Sequence, residues 1–190
     1  MKSYELEEEL RLNGLSVFTP KDVARLTLKP LNYIYLLLHK SKRFIRIEKG
    51  LYCLNGTDPL AVASSIATPS YISLISAFSY YKLIDQVPRV IKVVTSKRHK
   101  PLEVMGTRIE FKSVRRRMLY GYRREHSIAI AEIEKAVVDS LYILEDTQYL
   151  NEVIGNAISS NSFDKSKFLD YAKMTGKSTV YKRAKSLVKI

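Results

Sequence analysis

Residues 18–54 carry the most informative pattern in the chain, FTPKDVARLTLKPLNYIYLLLHKSKRFIRIEKGLYCL. Thr19 is a favourable N-cap residue, Pro20 suits the first helical position, and Asp22 places a negative charge at the helix N-terminus. These signals predict a helix from Pro20 to about Leu26. A short turn and a second helix start follow, so the stretch predicts a helix-turn-helix.

The second helix is predicted from Pro30 to about Lys42, with one apolar and one polar face. The residues of the apolar face are Leu31, Ile34, Leu37 and Leu38. The polar face resembles a recognition helix, because an early Asn can bond bidentately to adenine and late lysines can meet phosphates. Asn32 and Tyr33, near the helix start, are expected at base edges. The predicted DNA contacts of this region are Lys29, Asn32, Tyr33, Lys40 and Lys42.

A basic hairpin is predicted directly after the second helix. Arg43 to Ile47 alternates as a strand, Glu48-Lys49-Gly50 forms a turn, and Leu51 to Leu54 returns. Such a hairpin is the wing of a winged helix, and its predicted DNA contacts are Arg43, Arg46 and Lys49. Residues 19–54 carry eight basic and two acidic side chains, a net charge of +6. This balance favours DNA over the alternative, a small helical domain that uses the same arrangement for protein contacts.

The chain of 190 residues is long enough for two small domains. Strand and helix patterns alternate after Asn55-Gly56, and the last segment contains helical patterns only. We therefore expect an α+β protein with a winged helix-turn-helix domain over residues 1–55. An α/β domain with a small mixed sheet is expected over residues 56–146, and a C-terminal helical extension over 147–190. Within the middle part, apolar periodicity predicts a helix from Tyr71 to Leu83.

The net charge of +13 is divided unevenly along the chain. Residues 96–126 carry +7, residues 127–163 carry −5 and residues 164–190 carry +6. This alternation predicts basic faces and not a basic tail. Clusters at predicted strand ends suggest a second basic patch that extends the DNA footprint or holds RNA or a nucleotide, with a solvated loop as the alternative. Its members are Lys97, Arg98, Lys100, Arg115, Arg116, Arg117, Arg123 and Arg124.

Residue types disfavour several other classes of protein. The single cysteine, Cys53, excludes an internal disulfide, and its apolar strand context is typical of a buried side chain. The three histidines lack partners at metal-ligand spacing, so neither a metal nor another cofactor is expected. The longest apolar runs, such as Leu60 to Ala67, are shorter than the roughly 20 residues of a membrane helix. The residues after Met1 form no apolar signal segment, and we expect a cytoplasmic protein with no membrane partner.

Five short motifs follow one another between residues 46 and 139. They are RIEKGLYCL at 46–54, DPLAVA at 58–63, PSYISLISA at 69–77, IDQVP at 84–88 and IAIAEIEKAVVD at 128–139. Their order and spacing resemble the AbiEi family of antitoxins over roughly residues 15–145. That family supplies the antitoxin half of type IV toxin–antitoxin systems, which abort phage infection.

The resemblance implies a regulator with two functions. The winged helix would repress the protein's own operon, with two copies of the chain on inverted repeats. The α/β domain would counteract a nucleotidyltransferase-like toxin without binding it stably. The matching stretches of this domain are Tyr71–Leu83, Asp85–Pro88 and Glu134–Asp139. A plain alternative is that most of these residues pack the core, and that Glu134, Lys135 and Asp139 partly form a solvated helix face.

Two further hypotheses remain open from the sequence. One is a free-standing winged-helix transcriptional regulator whose second domain senses a ligand or a partner. The other is a metal-dependent nuclease, because Glu110 and Lys112 on one strand face resemble the acid and lysine of such enzymes. Asp85 is the candidate for the additional metal-binding acid, although it falls in a loop pattern. Charged alternation on an exposed strand explains the same residues, and we expect no enzyme.

Overall fold

The computed structural model describes residues 1–188. The protein is mixed α+β and divides into two compact units, Met1–Val62 and a second unit that begins at Ala63. The first unit therefore runs beyond the expected boundary at residue 55. The helices after residue 147 belong to the second unit.

The first unit alternates helices with the short strands of one sheet. Its elements are α1 (Ser3–Leu12), β1 (Val17–Phe18), α2 (Pro20–Thr27), α3 (Leu31–Lys40), β2 (Phe44–Glu48) and β3 (Leu51–Leu54). The strands pair antiparallel in the order β1-β3-β2. α3 is shorter than expected because Pro30 is its N-cap and Ser41 already has an extended backbone.

The start of α2 is fixed by reciprocal capping. The Thr19 hydroxyl accepts the N–H of Asp22 at 3.2 Å, and the Asp22 carboxylate accepts the N–H of Thr19 at 2.8 Å. Pro20 occupies the first helical position, where its missing N–H costs nothing. Leu28 adopts the left-handed conformation that ends α2. The tight turn from α2 to α3 is thus encoded locally.

All six elements of the first unit contribute to one hydrophobic core. Phe18 joins several of them, because its ring centre lies 6.1 Å from that of Phe44 and 6.4 Å from that of Tyr52. Burial of each such side chain contributes about 1.5–3 kcal/mol. The buried members are Leu6, Leu10, Phe18, Val23, Ile34, Leu38, Phe44, Tyr52 and Leu54.

The second unit combines a mixed sheet with helices. Following α4 (Pro59–Ser65), which spans the boundary between the units, its elements are β4 (Ser70–Ile72), α5 (Leu74–Tyr80), β5 (Val90–Thr95), β6 (Leu102–Val104), β7 (Thr107–Ser113), β8 (Tyr122–Glu125), β9 (Ile128–Ala131), α6 (Ile133–Ile143), α7 (Leu150–Ser159), α8 (Lys165–Met174) and α9 (Ser178–Leu187). The six strands are ordered β6-β7-β5-β4-β9-β8. β4 pairs parallel with β9 and β5 pairs parallel with β7, whereas the remaining pairs are antiparallel.

The helix expected from Tyr71 to Leu83 is wrong in its first part. Ser70–Ile72 forms β4, which hydrogen-bonds to β5 on one side and to β9 on the other. All three residues of β4 are buried, so no alternation of polar and apolar residues marks the strand. The helix itself, α5, begins at Leu74.

The C-terminal helices pack within the second unit. α8 and α9 both contact α6, and their buried residues are Phe168, Ala172, Val180 and Ala184. This packing explains the apolar stripe that the sequence carries at helical spacing in these segments. Within residues 1–188, no helix has the length and apolar character needed to cross a membrane.

Candidate nucleic-acid interface

The outer face of α3 lies opposite the side that enters the core. Ile34 and Leu38 are buried, whereas Asn32, Leu36 and His39 are exposed. Successive helical residues are rotated by about 100°, so these three exposed residues fall within about 60° of one another. They form a narrow ridge along the helix, which we call the α3 ridge.

The two residues predicted to contact base edges differ in position. The Tyr33 hydroxyl donates a hydrogen bond to the Met1 carbonyl at 2.9 Å, and Tyr33 lies beside the α3 ridge. Asn32 lies on the ridge, and its side-chain oxygen accepts the N–H of Tyr33 at 2.9 Å. Asn32 is therefore the better placed of the two for a base edge.

Some exposed side chains on and near α3 are apolar and were not among the predicted DNA contacts. Leu36, on the α3 ridge, is 59% exposed, and Tyr35, at its flank, is 45% exposed. Leu28, in the preceding turn, is 87% exposed. The helical period places Leu36 opposite Ile34 and Leu38, so the sequence did contain the signal for this position.

The β2–β3 hairpin begins a few residues after α3 and presents two cations. Arg46 pairs with Tyr52 across the ladder, and the register shifts between Arg46 and Glu48. Gly50 has a φ of 80°, a conformation that favours glycine in a tight turn. Arg46 and Lys49 are both exposed, as contacts to a ligand require.

Arg43 is the one predicted DNA contact held by an acidic side chain of α1. Its guanidinium lies 2.5 Å from the Glu7 carboxylate, and this hydrogen bond is the largest cause of the lowered pKa of Glu7. Arg43 and Glu7 also line one shallow surface depression with Lys40 and Lys42. Both lysines are exposed. The depression therefore contains three cations and one carboxylate.

Six members of the predicted second basic patch follow the C-terminal ends of two neighbouring strands in the second unit. β5 and β7 run parallel with Thr95 opposite Ser113 at their ends, and the N–H of Val114 donates to the Thr95 carbonyl at 2.8 Å. The segments 96–100 and 115–117 therefore start side by side. The six cations are exposed, and they are Lys97, Arg98, Lys100, Arg115, Arg116 and Arg117.

The other two members lie in a different part of the sheet. Arg123 and Arg124 are on β8, which is separated from β5 by β4 and β9. Arg123 pairs with Glu125 at 2.5 Å and lies 5.8 Å from the centre of the Tyr81 ring. The strands β4 and β9 thus lie between β8, which carries Arg123 and Arg124, and β5, which leads into the segment 96–100.

Glu110 and Lys112, the residues behind the nuclease hypothesis, belong to a ladder of ion pairs. The Lys92 ammonium lies 2.9 Å from Glu110 and 2.8 Å from Glu145, and Lys112 lies 2.8 Å from Glu145. The hydrogen bond from Lys92 is the largest cause of the lowered pKa of Glu110. Asp85 is exposed. Among residues 1–188, no three His, Cys, Asp or Glu side chains are grouped to hold a metal ion.

A buried polar cluster lies on α6. Lys135 and Asp139 form an ion pair with both side chains fully buried. The Asp139 carboxylate also accepts the hydroxyls of Tyr71 at 3.0 Å and Ser73 at 2.8 Å. The Lys135 ammonium lies 4.6 Å from the centre of the Tyr120 ring. Burial lowers the pKa of Lys135 because it penalises the charged form, and Asp139 opposes this effect.

The interpretation of Glu134, Lys135 and Asp139 as a partly solvated face is therefore wrong. α6 contacts α5, α8 and α9 as well as β9, so it is covered on several sides. Glu134 is buried as well and accepts the N–H of Asp164, at the start of α8, at 2.9 Å. The elements that cover these side chains, such as the start of α8, are far from α6 in sequence, so local periodicity does not predict their burial.

Comparisons with known proteins show a similarity of fold. No protein-family model and no curated protein matches this chain. The chain is similar in structure to the RV2827C protein from Mycobacterium tuberculosis, with a TM-score of 0.56 and 12% sequence identity. The alignment covers 97% of this chain and 76% of that protein. At this identity the likeness concerns the fold alone.

Proposed function

We propose that the first unit is a winged helix-turn-helix that binds duplex DNA, and that the protein is a transcriptional regulator. The order of its elements supports this proposal, because α2, a tight turn and α3 are followed at once by the β2–β3 hairpin. In winged helices the second helix of the helix-turn-helix enters the major groove. α3 and the hairpin are the corresponding elements of this chain.

The observation that carries the proposal is the exposed outer side of α3 and its basic surroundings. Asn32 and Leu36 project from the α3 ridge, which faces away from the core residue Ile34. Lys40 and Lys42 follow at the end of the helix. A helix that reads bases needs an exposed ridge, and cations beside it neutralise phosphates. α3 and the two residues that follow it meet both requirements.

The positive charge of the hairpin can be removed by mutation to test its role in DNA binding. Arg46→Ala combined with Lys49→Ala takes two positive charges from the exposed hairpin. We expect this double variant to bind the duplex upstream of its own gene about tenfold more weakly, with a shallower dependence of log Kd on log salt. Mobility shifts at two salt concentrations measure both quantities.

The control for this experiment is a double variant in the second unit. Lys165→Ala combined with Lys173→Ala removes the same charge from exposed positions of α8. Its affinity is expected to remain close to that of the unaltered chain. Equal loss in both double variants would mean that only net charge matters, and no loss in the hairpin variant would refute its role as a wing.

We further propose that the protein is the antitoxin of a type IV toxin–antitoxin pair that represses its own operon. This step rests on the resemblance of residues 15–145 to the AbiEi family. The proposal includes a cytoplasmic location, two copies of the chain on an inverted repeat, and a nucleotidyltransferase-like toxin as the functional partner. The second unit would then carry the activity that opposes the toxin.

Growth rescue tests the antitoxin proposal separately from DNA binding. The full chain is expected to restore growth when the adjacent nucleotidyltransferase-like gene is expressed. The double variant Arg46→Ala and Lys49→Ala should still restore growth while its repression weakens, because the hairpin lies in the first unit. Failure of the full chain to rescue growth, with DNA binding intact, would favour a free-standing regulator.

A further inference from the structure

We propose that Leu36 reads the C5-methyl group of thymine, so that the half-site bound by α3 is rich in A·T pairs. This inference rests on the proposed function of the first unit. It concerns the class of sequence that α3 recognises, which the resemblance to a family does not supply.

The first observation is the placement of Leu36. The side chain is 59% exposed, because its position on the helix faces away from the core. It lies about 40° from Asn32 around the helix axis and one turn further along the chain. An apolar side chain in the centre of a recognition ridge has one natural partner in the major groove, the methyl group of thymine.

The second observation is the residue content of α3. The helix reads LNYIYLLLHK and contains no arginine. Arginine and lysine are the usual partners of guanine in the major groove, and the lysine of α3 is its last residue, Lys40. Asn32, near the start, has the donor and acceptor that match adenine. The α3 ridge therefore carries Asn32 and Leu36, which suit A·T pairs, and contains neither arginine nor lysine, the usual partners of guanine.

The third observation concerns the occupant of this apolar surface. Leu28, Tyr35 and Leu36 are large apolar side chains that are exposed in α3 or in the turn before it, where they are available to a partner. The surrounding charge is positive, since Lys29, Lys40, Lys42 and Lys49 are exposed. This charge is complementary to phosphates, so duplex DNA is the occupant that fits both the apolar ridge and its rim.

The test uses duplexes that the full chain selects from a random library of double-stranded DNA. We expect the selected half-site to contain adjacent A·T pairs. Replacing its thymines with uracil removes only the methyl groups. Loss of each contacted methyl should raise Kd about fourfold, which is the effect expected from the burial energy of one methylene-sized group. Fluorescence anisotropy at fixed salt measures the change.

Two variants assign the effect to one side chain. In Leu36→Ala, binding should weaken and replacement of thymine by uracil should have no further effect at the contacted position. Leu12→Ala is the matched control, because Leu12 is 82% exposed on α1; it should retain the full uracil effect.

The outcomes separate this inference from the proposed function. If the chain binds its selected site in a salt-dependent way and uracil replaces thymine with no loss of affinity, the role of Leu36 is overturned. The proposal that the first unit binds DNA then remains. A half-site dominated by G·C pairs would overturn the inference in the same way. Absence of any duplex binding would overturn both the inference and the proposed function.

Discussion

Removal of the negative charge at Asp139 should destabilise the second unit strongly. In Asp139→Asn the side-chain oxygen still accepts hydrogen bonds from Tyr71 and Ser73, which now lie 3.0 and 2.8 Å from the carboxylate. The Lys135 ammonium, however, loses its counter-charge. Both members of the pair are fully buried, so the lysine has no water to replace the carboxylate.

The magnitude follows from the burial of the pair. Leaving one charge of a buried ion pair unpaired costs about 3–5 kcal/mol, a large part of the roughly 5–15 kcal/mol that stabilises a domain. With a urea m-value of about 2 kcal/mol/M, the unfolding midpoint should fall by about 2 M. Nine of the 13 tyrosines follow Ala63, so near-UV circular dichroism of tyrosine follows the second unit.

The stability of Asp139→Asn should also depend on pH in a defined direction. Burial lowers the pKa of Lys135 below its usual 10.5, and the variant lacks the carboxylate that opposes this. The unfolded chain then binds a proton that the folded chain releases. Stability should therefore rise with pH up to about 10.5. Adding Lys135→Met to Asp139→Asn should recover about 2 kcal/mol or more, because no buried charge remains.

An exposed ion pair provides the control. Lys173 and Asp170 lie 3.4 Å apart with more than half of each side chain exposed, so Asp170→Asn should change the free energy of unfolding by less than about 0.5 kcal/mol. Equal midpoints for Asp139→Asn and Asp170→Asn would refute the reasoning. A double variant as unstable as the sum of its single variants would refute the coupling between Lys135 and Asp139.

Three further outcomes are expected. Glu7→Gln should free Arg43 from its 2.5 Å ion pair, raise the affinity for duplex DNA about two- to threefold and steepen the salt slope by about one; an unchanged slope in anisotropy titrations would contradict a phosphate contact. Because Lys92 lowers the pKa of Glu110 below 4.5, their ion pair stabilises the fold above that pH and is lost as the pH falls further. Lys92→Met should therefore flatten the decline of the urea midpoint in acid, and an unchanged decline would argue against this linkage. Cys53 is buried with a pKa raised to about 11, so it should react with Ellman's reagent only after unfolding, and rapid reaction of the folded chain would contradict its burial.

Local signals predicted much of the first unit. The cap at Thr19, the proline after it and the spacing of Ile34 and Leu38 each act within a few residues, and the capped start of α2 and the buried side of α3 agree with them. The hairpin strands also lie within one residue of their expected positions. Such features are readable because the residues that determine them are neighbours in sequence.

Features of the second unit depend on partners distant in sequence. β4 is three residues long and is stabilised by pairing with β5 and β9, so no periodicity distinguishes it from the start of a helix. The burial of Lys135 depends on Tyr71, 64 positions earlier by the numbering, and on Tyr120. The position of β8, which carries Arg123, beside β9 and two strands away from β5 likewise depends on pairing that is distant in sequence.

The surface positions of the candidate site in the first unit were predictable in outline, but the contacts of its residues were not. The sequence placed the cations of α3 and the hairpin on the surface, where they lie. It did not indicate that Tyr33 donates to Met1 or that Arg43 pairs with Glu7, because both partners come from the N-terminal segment. These contacts move the expected centre of recognition from Tyr33 towards Asn32 and Leu36.

Photocrosslinking from α3 tests the central claim most directly. Tyr35, 45% exposed beside the α3 ridge, is replaced by p-benzoylphenylalanine in the full chain, and Tyr4, 49% exposed on α1, is replaced in a control. If α3 enters the major groove, light should crosslink the chain altered at Tyr35 to the selected duplex, and the chain altered at Tyr4 should give little product. Equal crosslinking from both positions, or none from Tyr35 under conditions where the duplex is bound, would contradict recognition by α3.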